Sequence, residues 1–348
     1  MPVTGVSAIT LRSERISGEN QLIQRIAGAI PSRSAGRNRH GLLLGIGDDA
    51  AIVVPARDTE LVLSCDAFLE GPHFFADRHP PDSVGFKSLA RAASDLAAMG
   101  ARPRLFLLTL GLPASKTGPW LDGFLRGMGR AARSLGIRLA GGDTTKASAV
   151  SISITVLGEI KPGRAVTRSG ARPGDILYVS GSLGRAELGL RLMRKRLGRE
   201  RRFENLLRPH LYPQIRLDLG AWLARRRVAS AMIDLSDGLS TDLARLCAAS
   251  GVGARITADH IPRIAPTTHL PHSLRSDPLQ LALHGGDDYE LLFTVPPRHL
   301  KKLRSAPGFR QLTAIGGITR EKGILLVGSD GSAKPLVPGG WDPFHQKK

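Results

Sequence analysis

Residues 82–100 read Asp-Ser-Val-Gly-Phe-Lys-Ser-Leu-Ala-Arg-Ala-Ala-Ser-Asp-Leu-Ala-Ala-Met-Gly. Phe86, Leu89, Ala90, Ala93, Leu96 and Ala97 recur in steps of three and four, the spacing of one apolar helix face. Asp82 is placed to cap this helix, and Gly100 to end it in a left-handed turn. Asp95 interrupts the apolar pattern. A carboxylate inside an apolar helix is partly buried, and a buried carboxylate is costly without a cation. This helix is therefore expected to sit in a core and to bring its charge to a positive partner.

Short strands and helices extend on both sides. Upstream, Leu22, Ile23, Ile26 and Ile30 fit a short amphipathic helix that Ser17 is placed to cap, and 42–46, 52–55 and 61–65 read as strands. Downstream the pattern predicts a strand at 105–110, a helix at 120–135 and strands at 137–140 and 150–160. Pro162-Gly163 and Gly170-Ala171-Arg172-Pro173-Gly174 then concentrate turn chemistry, which marks a domain junction. Beyond it, strands are expected at 176–179, 232–235, 254–257, 290–295, 312–315 and 323–327, and helices at 186–197, 215–225 and 240–249. Gly-Gly-Asp occurs in each half, at 141–143 and 285–287, as does a Ser/Thr-Asp-Leu-Ala segment, at 94–97 and 241–244. At 348 residues the chain exceeds a usual single core, and two related α+β halves account for these matches. The expected division is a mobile start at 1–17, an N-terminal domain at 18–162 and a C-terminal domain at 163–348.

Composition narrows the class. Hydrophobic residues at 42% and charged residues at 23% are typical of soluble globular chains. No run reaches the roughly eighteen apolar residues of a membrane span, and 1–17 lack the apolar core of a signal peptide. Cys65 and Cys247 form no CxxC pair, which argues against structural zinc and for a reducing compartment, the cytoplasm. The formal charge is +19, and 38 of the 49 basic residues are arginine. The densest run, 191–208, holds Arg194, Lys195, Arg196, Arg199, Arg201 and Arg202, with Phe203 its only aromatic. Single-strand binders interleave stacking aromatics with cations, so this surplus reads as solvated helix faces and loops rather than a nucleic-acid site.

Aspartates in Gly-rich or polar turns stand out: Gly47-Asp48-Asp49, Ser64-Cys65-Asp66, Gly142-Asp143-Thr144, Asp234-Leu235-Ser236-Asp237-Gly238 and Gly286-Asp287-Asp288. A single Gly-Asp pair is an ordinary turn. Here, however, Asp66 ends an apolar strand and Asp234 and Asp237 bracket a strand end, so these carboxylates need cations. Either guanidinium groups or a hard metal ion would serve, and clusters of Asp, Ser, Thr and carbonyl oxygens suit Mg²⁺. The GxxxxGKS/T phosphate loop, HRD, DFG and HExxH are absent. Ser180-Gly181-Ser182-Leu183-Gly184 is open to two readings, a phosphate-cradling turn or a plain strand-to-helix connection. His73, in Glu70-Gly71-Pro72-His73-Phe74, is the one histidine in a Gly-rich context just after such an aspartate.

These residues carry a resemblance. Gly45-Ile-Gly-Asp-Asp49, Asp66 with Glu70-Gly-Pro-His-Phe74, Lys87 through Ser94-Asp-Leu-Ala-Ala-Met-Gly100, Gly141-Gly-Asp-Thr-Thr145, Gly163-Arg-Ala-Val-Thr-Arg-Ser-Gly170, Ile233-Asp-Leu-Ser-Asp-Gly-Leu239 and Gly285-Gly-Asp-Asp-Tyr-Glu-Leu291 resemble, in order, the motif set of the thiamine-monophosphate kinase family. The resemblance implies a two-domain aminoimidazole ribonucleotide synthetase-like fold, with mixed sheets, helices packed on one face, and ATP bound with several Mg²⁺ ions between the domains. It implies phosphorylation of thiamine monophosphate to thiamine diphosphate and a homodimer formed through the N-terminal domain. Residue by residue, it assigns Asp49, Asp66, Asp95, Asp143, Asp234 and Asp237 to metal, with Ser64 and Cys65 facing metal as well. It assigns Gly142, Asp143, Arg168 and Ser236 to the nucleotide, and His73, Asp287 and Trp341 to the acceptor. Cys65 stands where Thr is commoner; a thiol is a poor Mg²⁺ ligand, so only its backbone carbonyl is expected to serve. Position 287 is often Glu, and the shorter Asp287 has less reach. Pro72 and the basic segment near 194–204 also depart from the pattern.

The implied chemistry suits this composition. A phosphate monoester has a second pKa near ~6, so the attacking oxygen needs no strong base, and the obstacle is repulsion between anions. Direct in-line transfer without a phosphoenzyme is expected. Rival members of the same superfamily include selenophosphate synthetase, which needs an early Cys or selenocysteine, and the carbamoyl-dehydratase of hydrogenase maturation, which works through a C-terminal Cys. This sequence begins without Cys and ends His345-Gln346-Lys347-Lys348.

Overall fold

The structure, a computed structural model, describes residues 18–32, 41–198, 200–265, 270, 272 and 275–344. The expected mobile start at 1–17, and with it the Ser17 cap, lies outside the described residues. The first half runs α1 (Glu19–Ala29), β1 (Leu42–Leu44), β2 (Ile52–Val53), β3 (Glu60–Leu69), α2 (Pro81–Met99), β4 (Arg102–Leu112), α3 (Pro119–Leu135), β5 (Arg138–Lys146) and β6 (Ser151–Ile160). After a stretch at 161–175 without strand or helix, the second half runs β7 (Ile176–Ser180), α4 (Arg185–Arg194), α5 (Glu204–Leu211), α6 (Leu217–Arg226), β8 (Ala231–Leu235), α7 (Leu239–Ser250) and β9 (Gly253–Thr257). It continues through α8 (Pro278–His284), β10 (Glu290–Val295), α9 (Leu300–Leu303), β11 (Leu312–Thr319), β12 (Gly323–Val327) and β13 (Ala333–Pro335).

The helix at residues 82–100 is α2, and it is the centre of the molecule. Thirteen of its nineteen residues are buried because it packs against α3, β3 and β6 of its own half and α6 and β8 of the other. Its start corrects the expectation for Asp82. Pro81 occupies the first helical position, where a missing N–H costs nothing, so Pro80 is the cap and Asp82 falls in the first turn. There the Asp82 carboxylate accepts from Tyr212 Oη at 2.8 Å and Arg130 Nη2 at 3.1 Å. Gly100 ends the helix at φ +75 as expected, with the Ala101 amide on the Leu96 carbonyl.

A four-stranded sheet, ordered β3-β6-β4-β5, carries α2 and α3 on one face. Its strands are antiparallel except for the parallel β4–β5 pair. The opposite face is covered at one end, where Leu42 packs with Leu105 and Ala140, and open elsewhere: Leu61, Leu63 and Leu107 are 41%, 61% and 43% exposed. A seven-stranded sheet, β13-β12-β9-β11-β7-β10-β8, is antiparallel apart from β12–β9. This larger sheet is covered on both faces. Leu177, Val179, Ile233 and Leu292 pack with Leu243 and Leu246 of α7, while Met232, Leu291 and Phe293 join one continuous core with Leu89 and Leu96 of α2 and Trp222 and Leu223 of α6. Double coverage explains why β8 and β10 are buried at every position.

Other boundaries differ for local reasons. β3 continues to Leu69, so Asp66 stands within the strand rather than at its end. Gly142-Asp143-Thr144 belongs to β5 instead of a turn. Helix α4 stops at Arg194, short of the expected 197, and Arg196 follows at φ +61. The helices α5, α8 and α9 have no counterpart among the expected elements; each is eight residues or fewer and too short for its period to show.

The close crossing of α2 and α3 yields a test. A Cβ at Gly85 would lie 1.9 Å from the Phe124 carbonyl oxygen and one at Gly127 1.8 Å from that of Asp82, whereas Gly28 on α1 has nothing within 4 Å. Gly85→Ala and Gly127→Ala should each lower the unfolding free energy in urea titrations by about 1–3 kcal/mol. Gly28→Ala should be neutral or stabilising by up to about 1 kcal/mol.

Candidate functional site

One cavity of about 960 Å³ opens between the halves. Its walls come from β3 and α2, the end of β8 with the turn after it, the 284–289 loop, α4, and the chain near 339–343. Asp66, His73, Asp95, Asp234, Ser236, Asp237, Asp287 and Trp341, expected from separate motifs, all line it.

The β3 pleat decides which neighbours reach this cavity. Ser64 and Asp66 face α2, where the Ser64 hydroxyl donates to Asp95 and Arg91 Nε lies 3.3 Å from Asp66 Oδ2. Cys65 points the other way, with its Sγ 3.5 Å from Ser153 Oγ on the open sheet face. Asp143 shares that outer face, since Ser153 pairs with Thr109 and Thr109 with Asp143. Gly142, at φ +153, leaves no room for a side chain because a Cβ would lie 1.8 Å from the Leu108 carbonyl oxygen. Asp49 is exposed in the β1–β2 connection, and the exposed Arg168 lies where its charge acts on both Asp95 and Asp234. Asp49, Ser64, Cys65, Gly142, Asp143 and Arg168 are thus not brought into the cavity lining, and among the described residues no three His, Cys, Asp or Glu side chains form a ready metal cage.

Asp95 and Asp234 differ from the other acidic groups. Asp66 is held by Arg91, and Asp237 by Arg245. Among the described residues Asp95 and Asp234 have hydroxyl donors but no ion pair: Ser64 serves Asp95, and Ser94 Oγ donates to Asp234 Oδ2 at 2.7 Å. Burial pushes Asp95 above the usual carboxylate range, and burial together with the nearby Asp95 pushes Asp234 up to about 7. The partly buried Asp95 opposes ionisation of the buried Asp234 and is itself opposed by Asp66, and these carboxylates with the Ser64 and Ser94 hydroxyls form a donor set that fits a hard divalent cation.

His73, Asp287 and Trp341 are also fixed in place. His73 Nδ1 accepts the Leu69 amide at 3.0 Å, which leaves Nε2–H as a donor, and burial followed by Arg91 lowers its pKa. Asp287 Oδ2 lies 2.7 Å from Lys87 Nζ, and Tyr289 Oη donates to Oδ1 at 2.7 Å. Despite the burial that opposes it, Lys87 holds the Asp287 carboxyl well below its ordinary range. Trp341 reaches the cavity because the chain before it docks on α7: its amide donates to the Asp237 carbonyl at 2.9 Å, and the Gly340 amide to Thr241 Oγ1 at 3.1 Å. Only glycine fits at 340, where a Cβ would lie 1.8 Å from the Asp237 oxygen.

Several residues escaped the sequence reading. Asp242 Oδ2 accepts the amides of Ser236, Asp237 and Gly238 at 3.0–3.1 Å, while Oδ1 takes Arg245 at 2.8 Å. This buried carboxylate shapes the turn that carries Ser236 and Asp237. Lys87 and Arg91 had a signal available, a polar stripe at 87, 91, 94 and 95 on an otherwise apolar helix. The 180–184 loop proves to be a plain connection: the Gly184 and Ala186 amides are taken by Asp288, Gly181 by the Gln311 carbonyl and Leu183 by that of Pro262.

Two α+β halves with an acidic cleft between them define a class. Family models described as AIR synthase related protein match the chain, the N-terminal domain over residues 47–160 and the C-terminal domain over 172–328. Thiamine-monophosphate kinase of Salmonella typhimurium is 40% identical over 332 residues, 94% of this chain and 98% of the relative. The crystal structure of thiamine-monophosphate kinase from Stenotrophomonas maltophilia aligns with a TM-score of 0.73 at 36% identity, covering 90% of this chain and 96% of that one. A structure described as AaThiL complexed with AMPPCP and TMP aligns with a TM-score of 0.71 at 32% identity, covering 94% and 97%. Within the AIR synthase related class, this chain belongs to the thiamine-monophosphate kinase family.

Two substitutions separate the turn's scaffold from its charge. Asp242→Ala strands three backbone amides and should lower the unfolding free energy by about 2–4 kcal/mol in denaturant titration. Asp95→Asn removes a charge that opposes ionisation of the buried Asp234, so in metal-free buffer its melting temperature should equal or exceed that of the wild type.

Proposed function

We propose that the protein transfers the γ-phosphoryl group of ATP to thiamine monophosphate, giving thiamine diphosphate and ADP, the last step of thiamine diphosphate synthesis. The observation that carries this reading is the Asp95–Asp234 pair, without an ion-pair partner among the described residues, in the same cavity as His73, Asp287 and Trp341. Relatives named thiamine-monophosphate kinase match nearly end to end, and the related structure titled with AMPPCP and TMP supports an ATP analogue and a monophosphate as ligands of this fold.

Asp95, Asp234, Asp66 and Asp237 would hold Mg²⁺ on the cavity side, with Ser64 and the Cys65 carbonyl beside them; the family resemblance adds Asp49 and Asp143, which lie outside the cavity lining. When bound, the ions supply charge neutralisation for both phosphate chains. Gly142, Asp143, Arg168 and Ser236 would contact ATP. His73 offers Nε2–H to the acceptor, Trp341 offers an aromatic face to the thiazolium, and Asp287 supplies opposing negative charge. An already ionised phosphate oxygen of the acceptor attacks the γ-phosphorus in line. The new P–O bond forms as the bond to the β-phosphate oxygen breaks, and ADP leaves with that electron pair. No side chain is phosphorylated.

A second copy of the chain would cover the open sheet face, where Leu61, Leu63 and Leu107 are solvent-exposed, to give a homodimer through the N-terminal half. We assign the protein to the cytoplasm, in keeping with two free thiols, Cys65 and Cys247; among the described residues no helix is long and apolar enough to cross a membrane.

Purified protein incubated with Mg-ATP and thiamine monophosphate should form thiamine diphosphate and ADP in equal amounts. An equal rate with free thiamine, or none with the monophosphate, would overturn the reading. Asp95→Asn should lower turnover at least about a hundredfold with the fold intact. Trp341→Ala should raise the KM for thiamine monophosphate about tenfold, equivalent to about 1.4 kcal/mol, with little change for ATP. An equal loss for both substrates would remove Trp341 from the acceptor site.

A further inference from the structure

Behind Asp287 runs a buried polar chain that the transfer chemistry does not use. Lys87 on α2 is 2% exposed, His79 ahead of α2 is 5% exposed, and His210 on α5 is fully buried. Lys87 Nζ lies 3.2 Å from His210 Nδ1, His210 Nε2 lies 3.1 Å from His79 Nε2, and His79 Nδ1 lies 3.2 Å from the Phe75 carbonyl oxygen. An ammonium group can only donate, so His210 Nδ1 accepts and its proton sits on Nε2. That proton goes to His79 Nε2, and His79 donates from Nδ1 to Phe75. The alternative, in which His79 Nδ1 accepts the Phe75 amide 3.1 Å away, would turn a His210 N–H toward the Lys87 ammonium. One direction therefore satisfies the Lys87–His210–His79 row with both rings neutral; it leaves the Phe75 N–H, which points at His79 Nδ1, without an acceptor there.

The row joins the halves. His79 and Lys87 come from the first, and His210, Asp287 and Tyr289 from the second. Asp287 and Tyr289 have φ of +67 and +50, conformations that side chains disfavour unless their surroundings hold them. The charged and titratable groups around the row are Arg78 ahead of α2, Lys87 and Arg91 from α2, Asp66 and His73 from β3 and the loop after it, Arg194 from α4, and Asp287, Asp288 and Tyr289 ahead of β10. Burial lowers both histidines, His79 to about 4, so neither titrates near neutral pH.

Resting on the proposed acceptor role of Asp287, we propose that Lys87 and His210 are positioning residues for thiamine monophosphate. His210 fixes the Lys87 ammonium, and Lys87 with Tyr289 fixes Asp287 as an oriented carboxylate on the acceptor wall. Affinity for the acceptor, and not for ATP, depends on this row.

Steady-state kinetics with ATP and thiamine monophosphate, run from pH 6 to 8 beside thermal melts, test the assignment. His210→Leu should raise the acceptor KM about fivefold and leave the ATP KM unchanged, while His210→Asn, which still offers an oxygen to Lys87, should stay within about twofold of wild type. Tyr289→Phe, the removal of one hydroxyl, should shift the acceptor KM alone in the same direction and keeps the test decisive if His210→Leu does not fold. Lys87→Met should make acceptor kcat/KM, taken as a ratio to wild type, fall from pH 8 to 6 as Asp287 takes up a proton. The ratio cancels the titration of the substrate phosphate. Asp287→Asn is the reference. If it raises the acceptor KM but His210→Leu and Tyr289→Phe do not, or if they shift both KM values alike, the positioning role is wrong and the kinase reading stands. If Asp287→Asn leaves the acceptor KM unchanged, Asp287 does not face the acceptor and the positioning role falls with it.

Discussion

Helix α2 cannot leave the interior, and it carries charge there. Its apolar positions bind it into the core shared by both sheets, so Lys87, Arg91 and Asp95 are forced inside with it. Each of these charges must be compensated within a few ångströms. Asp287 answers Lys87 and Asp66 answers Arg91. Among the described residues Asp95 has the Ser64 hydroxyl and no ion pair, and Asp234 beside it has that of Ser94 and no ion pair. That imbalance lies in the cleft, and the divalent cation proposed to enter with ATP would complement it.

The two halves use a common sequence element in opposite ways. Ser94-Asp95 and Thr241-Asp242 begin matching helical segments, yet Asp95 faces the cleft while Asp242 gathers three backbone amides and Arg245. The second aspartate builds the turn that presents Ser236 and Asp237; the first lines the cavity. Thr241 also receives the Gly340 amide, so the same segment docks the strip of chain that brings Trp341 to the cavity.

Much of this was legible in the sequence. The 3.6-residue period of α2, the Gly100 stop and the aspartate motifs were each specific enough to place. Side-chain facing was less so. Ser64, Cys65 and Asp66 are consecutive, but the pleat sends Cys65 to the open face, and reading β3 as ending at 65 concealed that alternation. Asp143 looked like a turn residue because Gly-Asp is common in turns, whereas pairing with β4 draws it into β5. The His79–His210 contact spans 131 residues of sequence, and no local pattern announces it.

The most direct test of this account measures thermal stability against Mg²⁺ concentration in the presence of AMPPCP, for wild type and Asp95→Asn. The account predicts that the wild-type melting temperature climbs with Mg²⁺ as the cation relieves the repulsion between Asp95 and Asp234, and that Asp95→Asn loses most of this rise. Equal rises in the two proteins, or none in the wild type, would contradict it.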